Sequence, residues 1–185
     1  MDYQAVTSAI LRFIDNKPLD HGGYTDLLSA VRQWEGEDFQ AAHAVNGQLR
    51  ELAAKTLRVC PAADADFFYE SYKRSLLFDA PHFFDSFLLY MELDRKPEKR
   101  FYSPRRHYLR PIVQGYQDIL DGKLRLLTCS LPKRAGKSQL GINFINMLSG
   151  RFPDRSSLME GTGDDLVKSF YNGCLEYVQL PNEYL

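Results

Sequence analysis

The strongest constraint on the fold is the stretch from Leu124 to Gly150, which reads LRLLTCSLPKRAGKSQLGINFINMLSG. Its apolar start, up to Leu131, follows the turn signal Asp121-Gly122 and is typical of a buried parallel strand. After a short basic loop, apolar residues recur at helical spacing, and they are Leu140, Phe144, Met147 and Leu148. This order predicts a strand, a tight loop and an amphipathic helix with Gly150 as its left-handed C-cap.

The loop contains Gly136-Lys137-Ser138, the core of the phosphate-binding pattern G-x-x-x-x-G-K-[ST], although Leu131 stands where the pattern has its first glycine. A helix beginning near Lys137 would leave its first N–H groups free for a phosphate, which Gly136 would allow to approach closely. The Lys137 ammonium would then contact the β- and γ-phosphates of ATP, and the Ser138 hydroxyl would bind Mg²⁺.

Lys133 and Arg134 would add positive charge to this loop, and arginine can bind phosphate through two hydrogen bonds. Pro132, in contrast, has no N–H to donate. The competing interpretation is a chance Gly-Lys-Ser tripeptide in a surface turn. The candidate phosphate-binding residues are Leu131, Pro132, Lys133, Arg134, Ala135, Gly136, Lys137 and Ser138, with Ser138 also the candidate metal ligand.

Composition narrows the class of protein without identifying it. The formal net charge is −1 over 185 residues, which gives no overall nucleic-acid signature. The three cysteines, Cys60, Cys129 and Cys174, match neither a disulfide framework nor a metal site. No run of about 18 apolar residues and no signal peptide is seen, so we expect a cytosolic protein that does not span a membrane.

Helical periodicity covers most of the remaining chain. The predicted helices are Asp2 to Asp15, Thr25 to Glu35, Glu37 to about Val59, one capped by Asp64, one following Ala80-Pro81, Arg110 to Leu120, and one capped by Asp164 that reaches about Val178. Ser156 to Glu160 is a candidate second strand. The predicted fold is therefore an all-α region over 1–94, a basic linker over 95–110, and over 111–185 the start of an α/β P-loop NTPase fold with an incomplete parallel sheet.

The linker, RKPEKRFYSPRRHYLR from Arg95 to Arg110, carries seven lysines and arginines against the single acid Glu98. Basic residues interleaved with aromatic ones can follow a nucleic-acid backbone and stack on bases. Equally, the segment can be a solvated linker whose arginines pair with acidic surface elsewhere. Gln114 and Gln117 lie between this segment and the loop, and a glutamine amide can both donate to and accept from the edge of adenine.

The segment FYSPRRHYLRPIVQGYQDILDGKLRLLTCSLPKRAGKSQLGINF resembles the start of the ATPase region of the large terminase subunits of tailed bacteriophages. Those proteins have a variant phosphate loop with a proline and a basic residue ahead of Gly-Lys-Ser, as in Leu131 to Ser138 here. SLLFDAPHFFDSFLLYMELDR resembles the helical lead-in of one terminase group, and RFPDRSSLMEGTGDDLVKSFYNGCLEYV resembles the second strand and helix.

The resemblance implies a DNA-packaging motor that uses ATP and Mg²⁺. It assigns Lys137 to phosphate, Ser138 to Mg²⁺, Arg134 to the vicinity of the γ-phosphate, and Gln114 or Gln117 to adenine. The implied partners are double-stranded DNA, the terminase small subunit and the portal. The full-length motor is implied to be a homo-oligomer, located in the host cytoplasm.

A complete motor also needs a second acidic motif for Mg²⁺ and the attacking water, together with nuclease carboxylates. Neither can be placed after Glu160, because Asp164-Asp165 begins a predicted helix and does not end an apolar strand. We therefore expect this chain to be the N-terminal part of such a protein and not to turn over ATP alone. The alternative is a helical DNA-binding or protein-interaction module with a vestigial phosphate loop.

Overall fold

The computed structural model describes residues 20–179, and every regular element within this range is a helix. The chain divides into two compact units, the first ending at Asp79 and the second beginning at Ala80. The expected linker over 95–110 therefore belongs to the second unit, and the predicted helix from Asp2 to Asp15 lies outside the described residues. No helix in the described range has the length and apolar character required to cross a bilayer.

Residues 20–79 of the first unit form three helices, α1 (His21–Trp34), α2 (Phe39–Thr56) and α3 (Ala62–Asp79). Helices α2 and α3 pack against each other most extensively, and α1 contacts both of them. Asp20 and Asp38 cap the first two helices by accepting hydrogen bonds from backbone N–H groups three residues ahead. Asp64 was predicted to cap α3 but lies inside its first turn, because the helix begins at Ala62.

The core of the first unit is formed where the apolar stripes of the three helices meet. Its buried residues are Tyr24, Val31, Trp34, Ala42, Val45, Leu49, Ala53, Phe68 and Phe78. Asp79 is also fully buried, and its carboxylate accepts a hydrogen bond from Arg50 Nη1 at 2.8 Å and lies 2.8 Å from His43 Nδ1. The two neighbours on α2 compensate for burying this charge.

Residues 80–179 of the second unit form four α-helices and two short 3₁₀ turns. These elements are α4 (Phe84–Glu92), the turns Pro97–Lys99 and Ser103–Arg105, α5 (Arg106–Leu120), α6 (Lys137–Arg151) and α7 (Asp164–Val178). Helix α6 packs against α7, α5 and α4, and α4 also packs against α5. The break predicted at Ala80-Pro81 is confirmed, since α3 ends at Asp79 and α4 begins at Phe84.

The predicted apolar stripe of α6 is confirmed, since Leu140, Phe144 and Met147 are buried in the core of the second unit. The other buried residues of this core are Phe84, Leu88, Tyr102, Leu109, Val113 and Leu120. The predicted C-cap is wrong, because Gly150 lies inside the helix and Phe152 caps it.

The predicted α/β fold is wrong, because residues 20–179 contain no strand and hence no parallel sheet. The two candidate strands, Leu124 to Leu131 and Ser156 to Glu160, are irregular segments. Their backbones make no ladder with each other or with any other described segment, and an extended segment without a partner is not a stable strand. Leu126 is 80% exposed and Leu158 is 86% exposed, so the apolar runs are not buried in a sheet.

Helix α7 also differs from its prediction. Its helical spacing predicts a buried face formed by Leu166, Val167, Phe170, Cys174 and Val178. The helix has no buried residue, and Leu166 and Val178 are 52% and 73% exposed. Asp164 is its first residue, and Gly163 occupies the cap position without a side-chain hydrogen bond. The Asp164 and Asp165 carboxylates lie in the first turn, where they interact favourably with the positive end of the helix dipole.

Candidate functional site

The candidate phosphate loop is a tight turn that leads directly into α6. The Ala135 N–H donates to the Pro132 carbonyl at 3.3 Å and closes the turn. Two residues have left-handed backbone conformations, Arg134 with φ of 66° and Gly136 with φ of 98°. Glycine adopts this conformation at little cost, whereas for arginine it costs about 1 kcal/mol. A strained residue of this kind is often found where a loop binds a ligand.

The N-terminus of α6 has no side-chain cap, because Gly136 occupies the cap position. The first helical hydrogen bond runs from the Leu140 N–H to the Gly136 carbonyl at 2.9 Å. The N–H groups of Lys137, Ser138 and Gln139 have no acceptor among residues 20–179. These donors and the helix dipole together favour an anion at this end of the helix.

The charged and hydroxyl side chains of the loop are all accessible to solvent. Lys133, Arg134, Lys137 and Ser138 are exposed, as is Pro132, while Leu131, Ala135 and Gly136 are half-buried. Within the described range, none of the three cations is in an ion pair. The left-handed Gly136 followed by the helical Lys137 is a backbone arrangement typical of anion-binding concavities.

The two candidate adenine-reading glutamines lie on α5 in different environments. Gln117 holds the start of α4: its Oε1 accepts from the Phe84 N–H at 2.8 Å, and its Nε2 donates to the His82 carbonyl at 3.0 Å. The same Nε2 donates to Asp121 at 2.9 Å. Gln114 is exposed, and among residues 20–179 it donates to Asp118, one turn further along α5. The Gln117 amide is thus occupied within the protein, whereas the Gln114 amide oxygen has no donor within the described range.

Metal ligands are sparse near the loop. Residues 20–179 contain no group of three or more His, Cys, Asp or Glu side chains that could hold a metal ion. Mg²⁺ is commonly held by one or two protein oxygens together with substrate phosphates and water. The exposed Ser138 hydroxyl could serve as the one protein ligand of a magnesium ion, whose other coordination positions would be filled by phosphate oxygens and water.

Phe101 lies against the loop, and sequence reasoning did not single it out. A Cβ atom added to Gly136 would come within 2.8 Å of Phe101 Cδ2, so the ring fills the space next to this glycine. In the sequence, Phe101 is one of the aromatic residues of the basic segment from Arg95 to Arg110. No local pattern connects it to a glycine 35 residues later in the chain.

Glu92 holds the backbone next to Phe101, and the sequence contains no signal for this role. Its buried carboxylate accepts hydrogen bonds from three consecutive N–H groups, those of Phe101, Tyr102 and Ser103, at 2.8–3.0 Å. Charge-assisted hydrogen bonds to backbone donors are among the stronger ones in proteins. The carboxylate thereby anchors the second half of the basic segment to the end of α4.

Four arginines of the basic segment have partners inside the second unit. Arg100 donates to the carbonyls of Arg95 and Leu93, and Arg105 donates to the Phe101 carbonyl. The Arg95 guanidinium lies 5.3 Å from the centre of the Tyr177 ring on α7. The remaining cations of the segment, Lys96, Lys99 and Arg110, are exposed.

The fourth arginine, Arg106, belongs to a cluster with Asp85 and Tyr102. Its guanidinium makes two hydrogen bonds to the Asp85 carboxylate, at 2.8 and 2.7 Å. The buried Tyr102 hydroxyl donates to the same carboxylate. Burial first, and then the Asp85 carboxylate, hold the pKa of Tyr102 well above its usual range. This part of the segment is therefore structural and not a solvated linker.

Comparison of the chain with protein families, with curated proteins and with solved structures found no match. The loop, its three uncapped N–H groups and the residues that support them are therefore the features from which a function can be inferred.

Proposed function

We propose that the loop from Leu131 to Ser138 binds the triphosphate of ATP together with Mg²⁺. The observation that carries this proposal is the uncapped N-terminus of α6, where three N–H groups without acceptors follow a left-handed glycine and coincide with Gly136-Lys137-Ser138. Anions bind at helix N-termini of this kind, and a glycine lets a phosphate approach the backbone.

In this proposal, each polar side chain of the loop binds a different part of Mg·ATP. Lys137 contributes a compact charge to the β- and γ-phosphates, and Ser138 contributes a hydroxyl to the magnesium ion. Arg134 offers a planar pair of donors to the γ-phosphate. Gln114 is the stronger candidate for reading adenine, because the amide of Gln117 is occupied at both ends within the protein.

The wider function proposed is that of the ATP-binding part of a phage DNA-packaging motor. It is supported by the resemblance of the segment around the loop to terminase large subunits. In that setting the chain would act on double-stranded DNA, together with a small subunit and a portal, as part of a homo-oligomer. A second candidate is a helical DNA-binding or interaction module, which is favoured by the entirely helical described range and by the exposed Lys96, Lys99 and Arg110.

The test of nucleotide binding is a calorimetric titration with Mg·ATP. We expect submillimolar affinity in the wild type and at least a tenfold loss, about 1.4 kcal/mol, in Lys137→Ala. Lys168→Ala on α7 is the matched control, because it removes another exposed lysine that is not part of the loop and should leave the affinity unchanged. Equal binding by wild type and Lys137→Ala, or no binding by the wild type, would contradict the proposal.

The second candidate is separated from the first by a DNA titration at several salt concentrations. An interaction module would bind DNA with a steep salt dependence, with affinity that does not change when Mg·ATP is added. Lys99→Ala should then reduce both the affinity and the salt slope, since this exposed lysine would contact a phosphate.

A further inference from the structure

The ring of Phe101 occupies the space beside Gly136 that a side chain would otherwise fill. A Cβ atom there would lie 2.8 Å from Phe101 Cδ2, closer than real Cβ atoms approach, and 3.1 Å from Cε2, tighter than most real contacts. The ring is half-buried and packs against the core of the second unit. The glycine of the loop therefore rests on a side chain that is itself supported by the core.

The backbone on both sides of this ring is held in place. The Phe101 N–H donates to Glu92 Oε1 at 2.8 Å, and the Phe101 carbonyl accepts from Arg105 Nη1 at 3.0 Å. The next residue, Tyr102, is fully buried and donates its hydroxyl to Asp85. These contacts fix the backbone on either side, and the packing of the ring against the core opposes rotation of the side chain away from the loop.

This support matters because Gly136 is the most conformationally free residue of the loop. Glycine samples left- and right-handed regions about equally, so an unsupported glycine would spend much of its time away from φ of 98°. Binding would then have to order the loop at a cost in affinity, whereas a loop that is already ordered avoids this cost.

We propose that Phe101 is a positioning residue for the phosphate loop, holding Gly136 and the first N–H groups of α6 in the arrangement that receives a triphosphate. The proposal rests on the function proposed above. Phe101 acts through the backbone of the loop and not through the base, so its contribution should be the same for any ligand that carries the triphosphate.

The first test needs no ligand and measures amide hydrogen exchange over residues 131–140 in the full chain. Phe101→Ala should speed exchange in this segment, and Phe101→Leu, which keeps apolar bulk beside the glycine, should restore most of the protection. Phe87→Ala is the matched control, because Phe87 is also a half-buried phenylalanine packed against the same core but belongs to α4 and not to the segment beside Gly136. Exchange equally fast in Phe101→Ala and Phe87→Ala would overturn the proposal.

The second test compares the dissociation constants for Mg·ATP and for inorganic tripolyphosphate with Mg²⁺. Phe101→Ala should raise both dissociation constants by the same factor, about tenfold, and Phe101→Leu should restore most of the lost affinity. An unchanged affinity, or a loss for ATP alone, would overturn the proposal, the latter by making Phe101 a base-stacking residue.

The two tests distinguish failure of this proposal from failure of the proposed function. If the wild type binds neither ligand, the ATP-binding function is wrong, while the exchange experiment still decides whether Phe101 holds the loop. If Phe101→Ala does not reach the wild-type helix content by circular dichroism, Phe101→Val, which removes more of the ring than leucine does, is compared with Phe87→Val in both measurements. Faster exchange and weaker binding in Phe101→Val alone would support the proposal, and equal effects of the two variants would overturn it.

Discussion

At the scale of single residues, three carboxylates each organise several groups around them. Asp79 is fully buried and contacts Arg50 and His43. Glu92 accepts hydrogen bonds from three consecutive backbone N–H groups. Asp85 accepts hydrogen bonds from Arg106 and from the Tyr102 hydroxyl. A buried carboxylate persists only when hydrogen bonds or cations replace the water it has lost. Removing one therefore leaves its partners without an acceptor, which costs more than the pair itself contributes.

Asp79→Ala should lower the free energy of unfolding of the first unit by about 3 kcal/mol, since it removes the buried carboxylate that Arg50 and His43 contact. Urea denaturation followed by Trp34 fluorescence measures this. The control is Asp64→Ala, which breaks the exposed pair with His21 at 3.3 Å and should cost less than about 1 kcal/mol. Similar costs for the two variants would show that the buried cluster contributes no more than a surface pair.

At the scale of elements, α5 shows how tertiary contacts determine where a helix begins. The sequence predicts a helix from Arg110 to Leu120, with Pro111 as its second residue. The helix instead begins at Arg106 and contains Pro111 within it. The Glu92 carboxylate and the Asp85–Arg106 pair fix the segment that precedes the helix, and these contacts offset the hydrogen bond that proline cannot make.

Glu92→Gln should destabilise the start of α5, because the NH₂ group of the new side chain cannot accept hydrogen bonds from the backbone N–H groups that the carboxylate now binds. We expect a loss of about 2 kcal/mol in the unfolding free energy of the second unit. Amide exchange at Phe101, Tyr102 and Ser103 should also become faster. Glu98→Gln, an exposed glutamate of the same segment, is the control and should change stability by less than about 0.5 kcal/mol. Equal losses of stability in the two variants would show that Glu92 does not anchor the segment.

At the scale of the whole molecule, the chain contains two compact units with separate hydrophobic cores. The single tryptophan, Trp34, is buried in the first of them. Its fluorescence therefore reports on the first unit, whereas far-UV circular dichroism reports on the helices of both. The two signals allow the stability of each core to be followed in the intact protein.

Leu49→Ala and Leu140→Ala each remove a fully buried side chain, one from each core, and should each cost about 2–5 kcal/mol. We expect Leu49→Ala to shift the Trp34 fluorescence transition to lower urea. Leu140→Ala should shift only the part of the circular dichroism transition that fluorescence does not follow. If each variant moved both signals together, the two units would unfold as one cooperative structure.

Much of the helical architecture was predictable, because amphipathic periodicity reflects the burial of one helix face. The stripe of Leu140, Phe144 and Met147 and the start of α6 at Lys137 both agree with the structure. The predicted strand of Leu124 to Leu131 is wrong, since a short apolar run does not reveal whether its backbone will find a partner. In the described range it finds none.

The sequence by itself determined the periodic helices and the order of glycine, lysine and serine at the start of α6, because both depend on residues close together along the chain. Tertiary structure alone decided that the basic segment folds onto Glu92 and Asp85, and that Phe101 supports Gly136. These contacts join residues far apart in sequence, and their energies depend on burial and geometry that arise only when the helices pack.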